Sequence, residues 1–200
     1  MPFRNYHAAR GESRGRNVLI SAVWDFRLSN IDMMLALKWF VPITLMAMGL
    51  AWCSEQVALL MGFEPPPQDL VKLFTNPSIA WQIKAKYAAF AVIAAPIIEE
   101  LLFRMGLFRF CRWCGKLIKG RDIESVEVST KFPLIAALTS GAIFAAVHLH
   151  AATFLPLWFL GVAFAWLYWK SGTLFSSMLC HFLFNLVNLV LCLSMCLAEG

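Results

Sequence analysis

Charged side chains are scarce in this sequence. Only 14% of its 200 residues are Asp, Glu, Lys or Arg, whereas 60% are hydrophobic; an ordinary soluble domain has about a quarter charged residues. This balance excludes a soluble globular domain. It predicts an all-α polytopic bundle of transmembrane helices, and the long apolar stretches leave no room for a separate soluble domain.

Several patterns of known hydrolases and metal sites are also missing. The sequence contains no HExxH, no GxSxG-like serine turn and no aspartate within its long apolar runs. These absences exclude the usual zinc, serine and aspartyl types of membrane hydrolase. The CxxC formed by Cys111 and Cys114 has no second CxxC to complete a tetrahedral metal site. A redox or metal role of these two thiols is therefore not expected.

Apolar length and polar punctuation predict five spans, the first interrupted and the fourth short. They cover residues 36–62, 87–110, 132–149, 154–169 and 174–197. The first 16 residues contain four arginines but no clean apolar core or cleavage site, so a removable signal peptide is not expected. We predict a basic cytosolic arm and interfacial segment over 1–35, with an amphipathic helix over 17–32, and a membrane bundle over 36–200.

The basic residues indicate the orientation of the bundle. With the N-terminus in the cytosol, thirteen Lys and Arg lie on the cytosolic side and three on the other, which agrees with the positive-inside rule. The net charge of +5 then reflects topology and contact with anionic lipid. A nucleic-acid partner is not needed to explain it.

The stretch "APIIEELLFR" places three formal charges inside the second predicted span. Such groups are costly at bilayer depth, about 2.5–3.5 kcal/mol each on insertion scales. Glu100 and Arg104 are four residues apart and can pair on one helix face. Glu99 points about 100° away and needs another partner. Pro96 is expected to leave the carbonyl of Val92 without its helical partner and to kink the helix.

Two further spans contain polar residues at helical spacing. Phe144 and His148 share one face of the third span, and His181 and Asn185 share one face of the last span. At ~1.5 Å per residue, Glu99, His148 and His181 lie roughly 16–25 Å from the cytosolic edge. The economical inference is that these side chains form one polar site.

Such a site has the chemistry of a peptide hydrolase. A carboxylate beside an imidazole can deprotonate water, and a second imidazole with an amide can stabilise the oxyanion that forms. Other interpretations stay open at this point. Glu99, His148 and His181 could bind zinc, or the polar residues could be structural interhelical contacts. Buried Glu and His also make proton relays in transporters.

Three motifs carry a resemblance to a known family. "EELLFR", "FAAVH" and "HFLFN" occur in this order between residues 95 and 188. They resemble the EExxxR, FxxxH and HxxxN signatures of the CPBP family, the CAAX proteases and bacteriocin-processing proteases. The resemblance implies an intramembrane glutamic endopeptidase that needs no metal or other cofactor.

The resemblance also implies roles for residues at the matching positions. Glu99 would activate water together with His148. His181 and Asn185 would form the oxyanion site. The supporting residues would be Glu100 and Arg104, which would orient the site or hold substrate, and Phe144, which would pack beside it.

The implied partners are the lipid bilayer and a membrane-anchored protein or peptide, cut near its C-terminus or in a membrane-proximal segment. The small size resembles prokaryotic processing members, including myxosortase-like and JDVT-CTERM-associated ones, which implies a prokaryotic plasma membrane. Two rival functions remain: a non-catalytic scaffold or bacteriocin-immunity protein, and a proton-coupled transporter. A transporter more often shows internal repeats, and none is evident here.

Overall fold

A computed structural model describes residues 30–67, 69–118 and 133–198. Within these ranges the chain is helical and has no β-strand, which confirms the all-α prediction. The described α-helices are α1 Asn30–Leu60, α2 Asp69–Thr75, α3 Trp81–Ala89, α4 Ala95–Glu100, α5 Arg109–Ile118, α6 Leu134–Ala146, α7 Phe154–Ser171 and α8 Leu174–Ala198. The predicted basic arm, and residues 17–29 of the predicted interfacial helix, lie outside the described residues.

The helices α3, α4 and α5 form one continuous rod over residues 81–118. The π-helical segments Phe90–Ala94 and Leu101–Phe108 join them without a break. The predicted span 87–110 lies entirely inside this rod. Wide π-helical turns are rare in proteins, and those that occur are often at functional sites. Here they flank the helical turn that carries Glu99 and Glu100.

Pro96 acts on the rod differently from the sequence prediction. The N–H of Ala95 donates to the carbonyl of Phe90, five residues back, so the preceding segment follows the π-helical pattern. In that pattern the N–H of residue 96 would serve the carbonyl of Ala91, and a proline has no N–H. The sequence prediction named the carbonyl of Val92 because it assumed α-helical spacing, and it stays a prediction; in the π-helical pattern the carbonyl that Pro96 affects is that of Ala91.

Three helical stretches are long and apolar enough to cross a membrane, within the residues that the structure describes. They are Asn30–Leu60, Ala151–Ser171 and Leu174–Cys196. The fourth predicted span is thus longer than expected, whereas the third is short, since α6 has only 13 residues. The predicted interruption of the first span is absent, because α1 runs through Pro42 as one 31-residue helix.

Helix α1 begins six residues before the predicted span and so includes Asp32. This aspartate was expected outside the membrane helices, but it lies in the first turn of α1 with its side chain 1% exposed. An acidic group is favoured there by the helix dipole. Hydropathy gave no sign of this position, because a charge ends an apolar run whether or not the helix continues.

Helices α1, α7 and α8 enclose the larger apolar cluster, which consists of Ala36, Ile43, Ala47, Leu160, Phe164, Leu167 and Cys180. Helix α6 packs on the other side of α7 through two glycines. A Cβ on Gly161 of α7 would lie 2.7 Å from the Cα of Gly141 on α6. Small residues let helix backbones approach this closely in membranes. The indole Nε1 of Trp158 also donates to the carbonyl of Leu138, at 2.9 Å.

Candidate active site

The centre of the site is a buried ion pair on the rod. Nε of Arg104 lies 3.1 Å from Oε2 of Glu100, and the two side chains are 1% and 0% exposed. This is the i,i+4 pair that the sequence predicts. Because water cannot reach either group, the two charges depend on protein partners, and removing one partner leaves the other buried and unpaired.

His181 of α8 lies between the two glutamates. Its Nδ1 is 3.0 Å from Oε1 of Glu100, and its Nε2 is 3.6 Å from Oε2 of Glu99. An ionised carboxylate only accepts hydrogen bonds, so Nδ1 carries the hydrogen in the bond to Glu100. The sequence assigned Glu100 to Arg104 alone; in the structure, Glu100 also orients the imidazole that faces Glu99.

Two phenylalanines flank the guanidinium of Arg104. Its Cζ lies 4.8 Å from the ring centre of Phe144 and 5.3 Å from that of Phe164. The Phe164 ring also stacks on His181, with 4.8 Å between ring centres. The sequence singled out Phe144 and missed Phe164. No signal in the sequence could have found Phe164, because a phenylalanine in an apolar span looks like any other core residue.

The close contact of α6 and α7 positions these rings. Phe144 follows Gly141 by one helical turn, and Phe164 follows Gly161 in the same way. The carbonyl of Gly161 accepts a hydrogen bond from Nη2 of Arg104, at 3.4 Å. The glycine contact therefore positions the rings of Phe144 and Phe164, and also the carbonyl of Gly161, around the guanidinium of Arg104.

His148 lies just beyond the end of α6 and is exposed on the protein surface. Its Nδ1 donates to the carbonyl of Phe144, at 2.7 Å, since a carbonyl only accepts. This bond leaves Nε2 as the basic nitrogen. The ring also packs edge-on against the Phe144 ring, with 4.8 Å between centres. Phe144 thus stands between His148 and His181.

The site has an accessible part and a buried part. The Glu99 side chain is 25% exposed and His148 is exposed, whereas Glu100, Arg104 and His181 are buried. The described structure contains no direct hydrogen bond or ion pair between Glu99 and His148. Glu99 and His148 are therefore more exposed than the buried ion pair and His181, although Oε2 of Glu99 is itself buried.

Asn185 makes a bond that the sequence did not predict. Its Nδ2 donates to the carbonyl of Ala91, at 2.9 Å. This is the carbonyl that Pro96 leaves without a partner in the π-helical part of the rod. One N–H of the amide is thus used to hold α8 against the rod, and the second N–H is the donor that remains.

Comparison with known families shows the family of this chain. The sequence model described as type II CAAX prenyl endopeptidase Rce1-like matches residues 81–187, more than half of the chain. The chain belongs to this Rce1-like family. No curated protein and no solved structure matches it.

The matched range begins with the first residue of the rod and includes every site residue described above. It confirms the resemblance to the CPBP proteases. Rce1-like proteins are intramembrane proteases of the CAAX type, which act on membrane-embedded protein substrates at the lipid bilayer. The apolar helices of this member agree with an integral membrane protein, and the myxosortase-like subtype stays a prediction.

The zinc alternative requires three ligands in one place. In this Rce1-like protein, the described residues include no group of three or more His, Cys, Asp or Glu side chains that could hold a metal ion. The set of Glu99, His148 and His181 is not assembled, because Phe144 separates the two imidazoles. Cys111 and Cys114 are half-buried free thiols on α5.

Proposed function

We propose that this protein is an intramembrane endopeptidase that hydrolyses a peptide bond near the C-terminus, or in a membrane-proximal segment, of a membrane-anchored protein or peptide. One observation carries the proposal. Glu99 is a partly exposed carboxylate directly beside the buried cluster of Glu100, Arg104 and His181. A carboxylate at this depth is costly as structure alone, and its accessible position suits a group that reacts.

In the proposed mechanism Glu99 acts as the general base. Its carboxylate takes a proton from a water molecule, and the water oxygen forms a bond to the carbonyl carbon of the substrate. Nε2 of His148, which the bond from Nδ1 to Phe144 leaves as an acceptor, helps to hold that water. When the C–N bond breaks, Glu99 returns the proton to the leaving amine. The products are a new carboxyl terminus and a free amine.

His181 and Asn185 are proposed to stabilise the oxyanion. Nε2 of His181 lies 3.6 Å from Oε2 of Glu99, on the buried side of that carboxylate, and it can donate once both ring nitrogens carry hydrogen. Glu100 accepts from Nδ1 and so keeps the ring in that orientation. For Asn185, the N–H that does not bond the rod is the available donor.

Glu100, Arg104 and Phe144 are proposed to orient the site. The earlier alternative, in which Glu100 and Arg104 hold substrate, is less well supported because both side chains are buried. Phe144 contacts Arg104, His148 and His181 through its ring. The position of α6 therefore affects the positions of Arg104 and His181 through this ring.

The location of the protein is part of the proposal. The predicted basic cytosolic arm and interfacial segment is limited to the residues before α1, because residues 30–35 belong to that helix. The bundle is proposed to lie in a prokaryotic plasma membrane with its N-terminus in the cytosol. The orientation rests on the excess of Lys and Arg on one side of the spans.

The test is cleavage of internally quenched peptides by purified protein in liposomes. The probes share one sequence ending in CAAX and differ only in the presence of a farnesyl group. Glu99→Gln keeps the shape of the side chain and removes the base, so the cleavage rate should fall at least about 100-fold. Glu64→Gln is the matched control, because Glu64 is exposed in the loop after α1.

Three outcomes would contradict the proposal. If the wild-type protein cleaves neither probe and Glu99→Gln retains the cellular phenotype, the protein is a scaffold or immunity protein. If Glu99→Gln cleaves as fast as Glu64→Gln, Glu99 is not the base. Activity that a chelator abolishes and zinc restores would overturn the metal-free mechanism.

A further inference from the structure

The segment that carries His148 is weakly held by its own helix. Helix α6 ends at Ala146, and His148 follows two residues later. The amides of His148 and Leu149 still bond the carbonyls of Ala145 and Ala146, at 3.2 and 3.1 Å. These are bonds of a frayed last turn, which opens easily unless something else holds it.

Leu149, the next residue, has an unfavourable backbone conformation. Its φ is +54°, in the left-handed region, and its side chain is 92% exposed. A leucine adopts this conformation only where its surroundings impose it. Its own side chain cannot be the cause, because that side chain is almost fully exposed. The constraint must come from the residues on either side.

His150 supplies that constraint. Its Nε2 donates to the carbonyl of Pro66, at 3.1 Å, in the loop that follows α1. Its own carbonyl accepts from the amide and the hydroxyl of Thr153, at 3.2 and 3.1 Å. Nδ1 of His150 is buried and has no hydrogen-bond partner among the described residues. The ring therefore contributes through Nε2.

We propose that His150 is a positioning residue for His148. Its bond to Pro66 connects the loop after α1 to the segment after α6 and keeps the left-handed turn at Leu149 in place. This turn holds His148 where its Nδ1 meets the carbonyl of Phe144. The inference rests on the proposed function of His148, and it concerns a residue outside the three motifs.

Positioning of this kind matters because catalysis depends steeply on geometry. A displacement of about 1 Å in a catalytic group can cost on the order of 100-fold in rate. His148 lies beyond its helix, so the position of its imidazole follows the conformation of residues 147–150. Losing the tie at His150 is expected to lower kcat while substrate binding stays nearly unchanged.

The test compares two amide substitutions in the full-length protein. The amide nitrogen of Gln falls near the position of Nε2 of histidine, whereas that of Asn falls near Nδ1 and is too short to reach Pro66. His150→Asn should lower kcat about tenfold with KM within about twofold. His150→Gln should keep kcat within about twofold of the wild-type value. The substrate is the farnesylated or the plain CAAX peptide, whichever the wild-type protein cleaves.

Hydrogen exchange gives a second readout that does not require activity. In His150→Asn, the hydrogen-bonded amides of residues 147–149 should exchange at least about tenfold faster, while those of α7 and α8 stay protected. In His150→Gln, exchange over 147–149 should match the wild type. This pattern also separates a local effect from general unfolding.

Each result decides between the possibilities. Equal losses of kcat in both variants would mean that the ring itself takes part in the chemistry. Unchanged kcat in both variants would mean that the hydrogen bond from His150 to Pro66 does not position His148. Either result refutes the inference. Unchanged exchange in His150→Asn would also refute it. If the wild-type protein cleaves no probe, the proposed function fails instead, and the exchange data still show whether His150 ties the two loops.

Discussion

Replacement of Gly161 by alanine tests the helix contact on which the site depends. The added Cβ would lie 2.7 Å from the Cα and 3.2 Å from the carbonyl oxygen of Gly141. Both are backbone atoms, so no side-chain rotation relieves the overlap and α6 must move away from α7. Overpacking of this kind costs about 1–3 kcal/mol. Alanine itself favours a helix over glycine by about 1 kcal/mol.

Gly49→Ala provides the matched control. Gly49 also lies inside a helix, α1, but a Cβ there would meet nothing within 4 Å. Both variants gain the same helix propensity, and only Gly161→Ala suffers the overlap. The free energy of unfolding should therefore differ between them by about 1–3 kcal/mol, with Gly161→Ala the less stable.

The assay is reversible unfolding in mixed micelles with increasing sodium dodecyl sulfate, followed by circular dichroism. Cleavage should be measured on the folded fraction as well, because the carbonyl of Gly161 bonds Arg104 and its displacement should lower the rate. Equal unfolding free energies for the two variants would refute the reasoning. They would mean that α6 and α7 are not in backbone contact at these glycines.

Two further predictions concern stability. Glu100→Gln should lower the free energy of unfolding by about 3–5 kcal/mol, since it leaves Arg104 buried without its counter-charge. Glu99→Gln should cost less than about 1 kcal/mol, because the Glu99 side chain is partly exposed. Equal losses of unfolding free energy for Glu100→Gln and Glu99→Gln in the same assay would contradict the buried pair. Asn185→Leu should cost about 1–3 kcal/mol by leaving a rod carbonyl unpaired. In a Pro96→Ala background, where residue 96 has an N–H again, the cost of Asn185→Leu should be smaller. If the effects of the two substitutions on the free energy of unfolding are additive, Asn185 and residue 96 do not share the carbonyl of Ala91.

Much of the helical architecture could be predicted from apolar length. The predicted spans at 154–169 and 174–197 lie within α7 and α8, and the span at 87–110 lies within the rod. The errors have a common cause. The residues after Ala146 are still largely apolar, so hydropathy extended the third span to residue 149. The helix ends at Ala146, and the chain turns at Leu149. It also could not detect π-helical turns, which have no composition of their own.

Contacts within one helix were predicted better than contacts between helices. Glu100 meets Arg104, and Phe144 meets His148, as their four-residue spacing indicates. The double contact of His181 with both glutamates was not predicted, and neither was the bond of Asn185 to the rod. These depend on how α8 is rotated against the rod, and the spacing of residues along one helix does not determine this rotation.

The sequence by itself determined that the protein is helical and lies in a membrane, that Glu100 pairs with Arg104, and that its motifs are those of the CPBP proteases. Composition and helical periodicity are local properties, so they can be read along the chain. The tertiary structure decided which carboxylate is buried and which is accessible. It also decided that Phe164 and Gly161 belong to the site, because the close packing of α6, α7 and α8 against the rod joins residues that are distant in sequence.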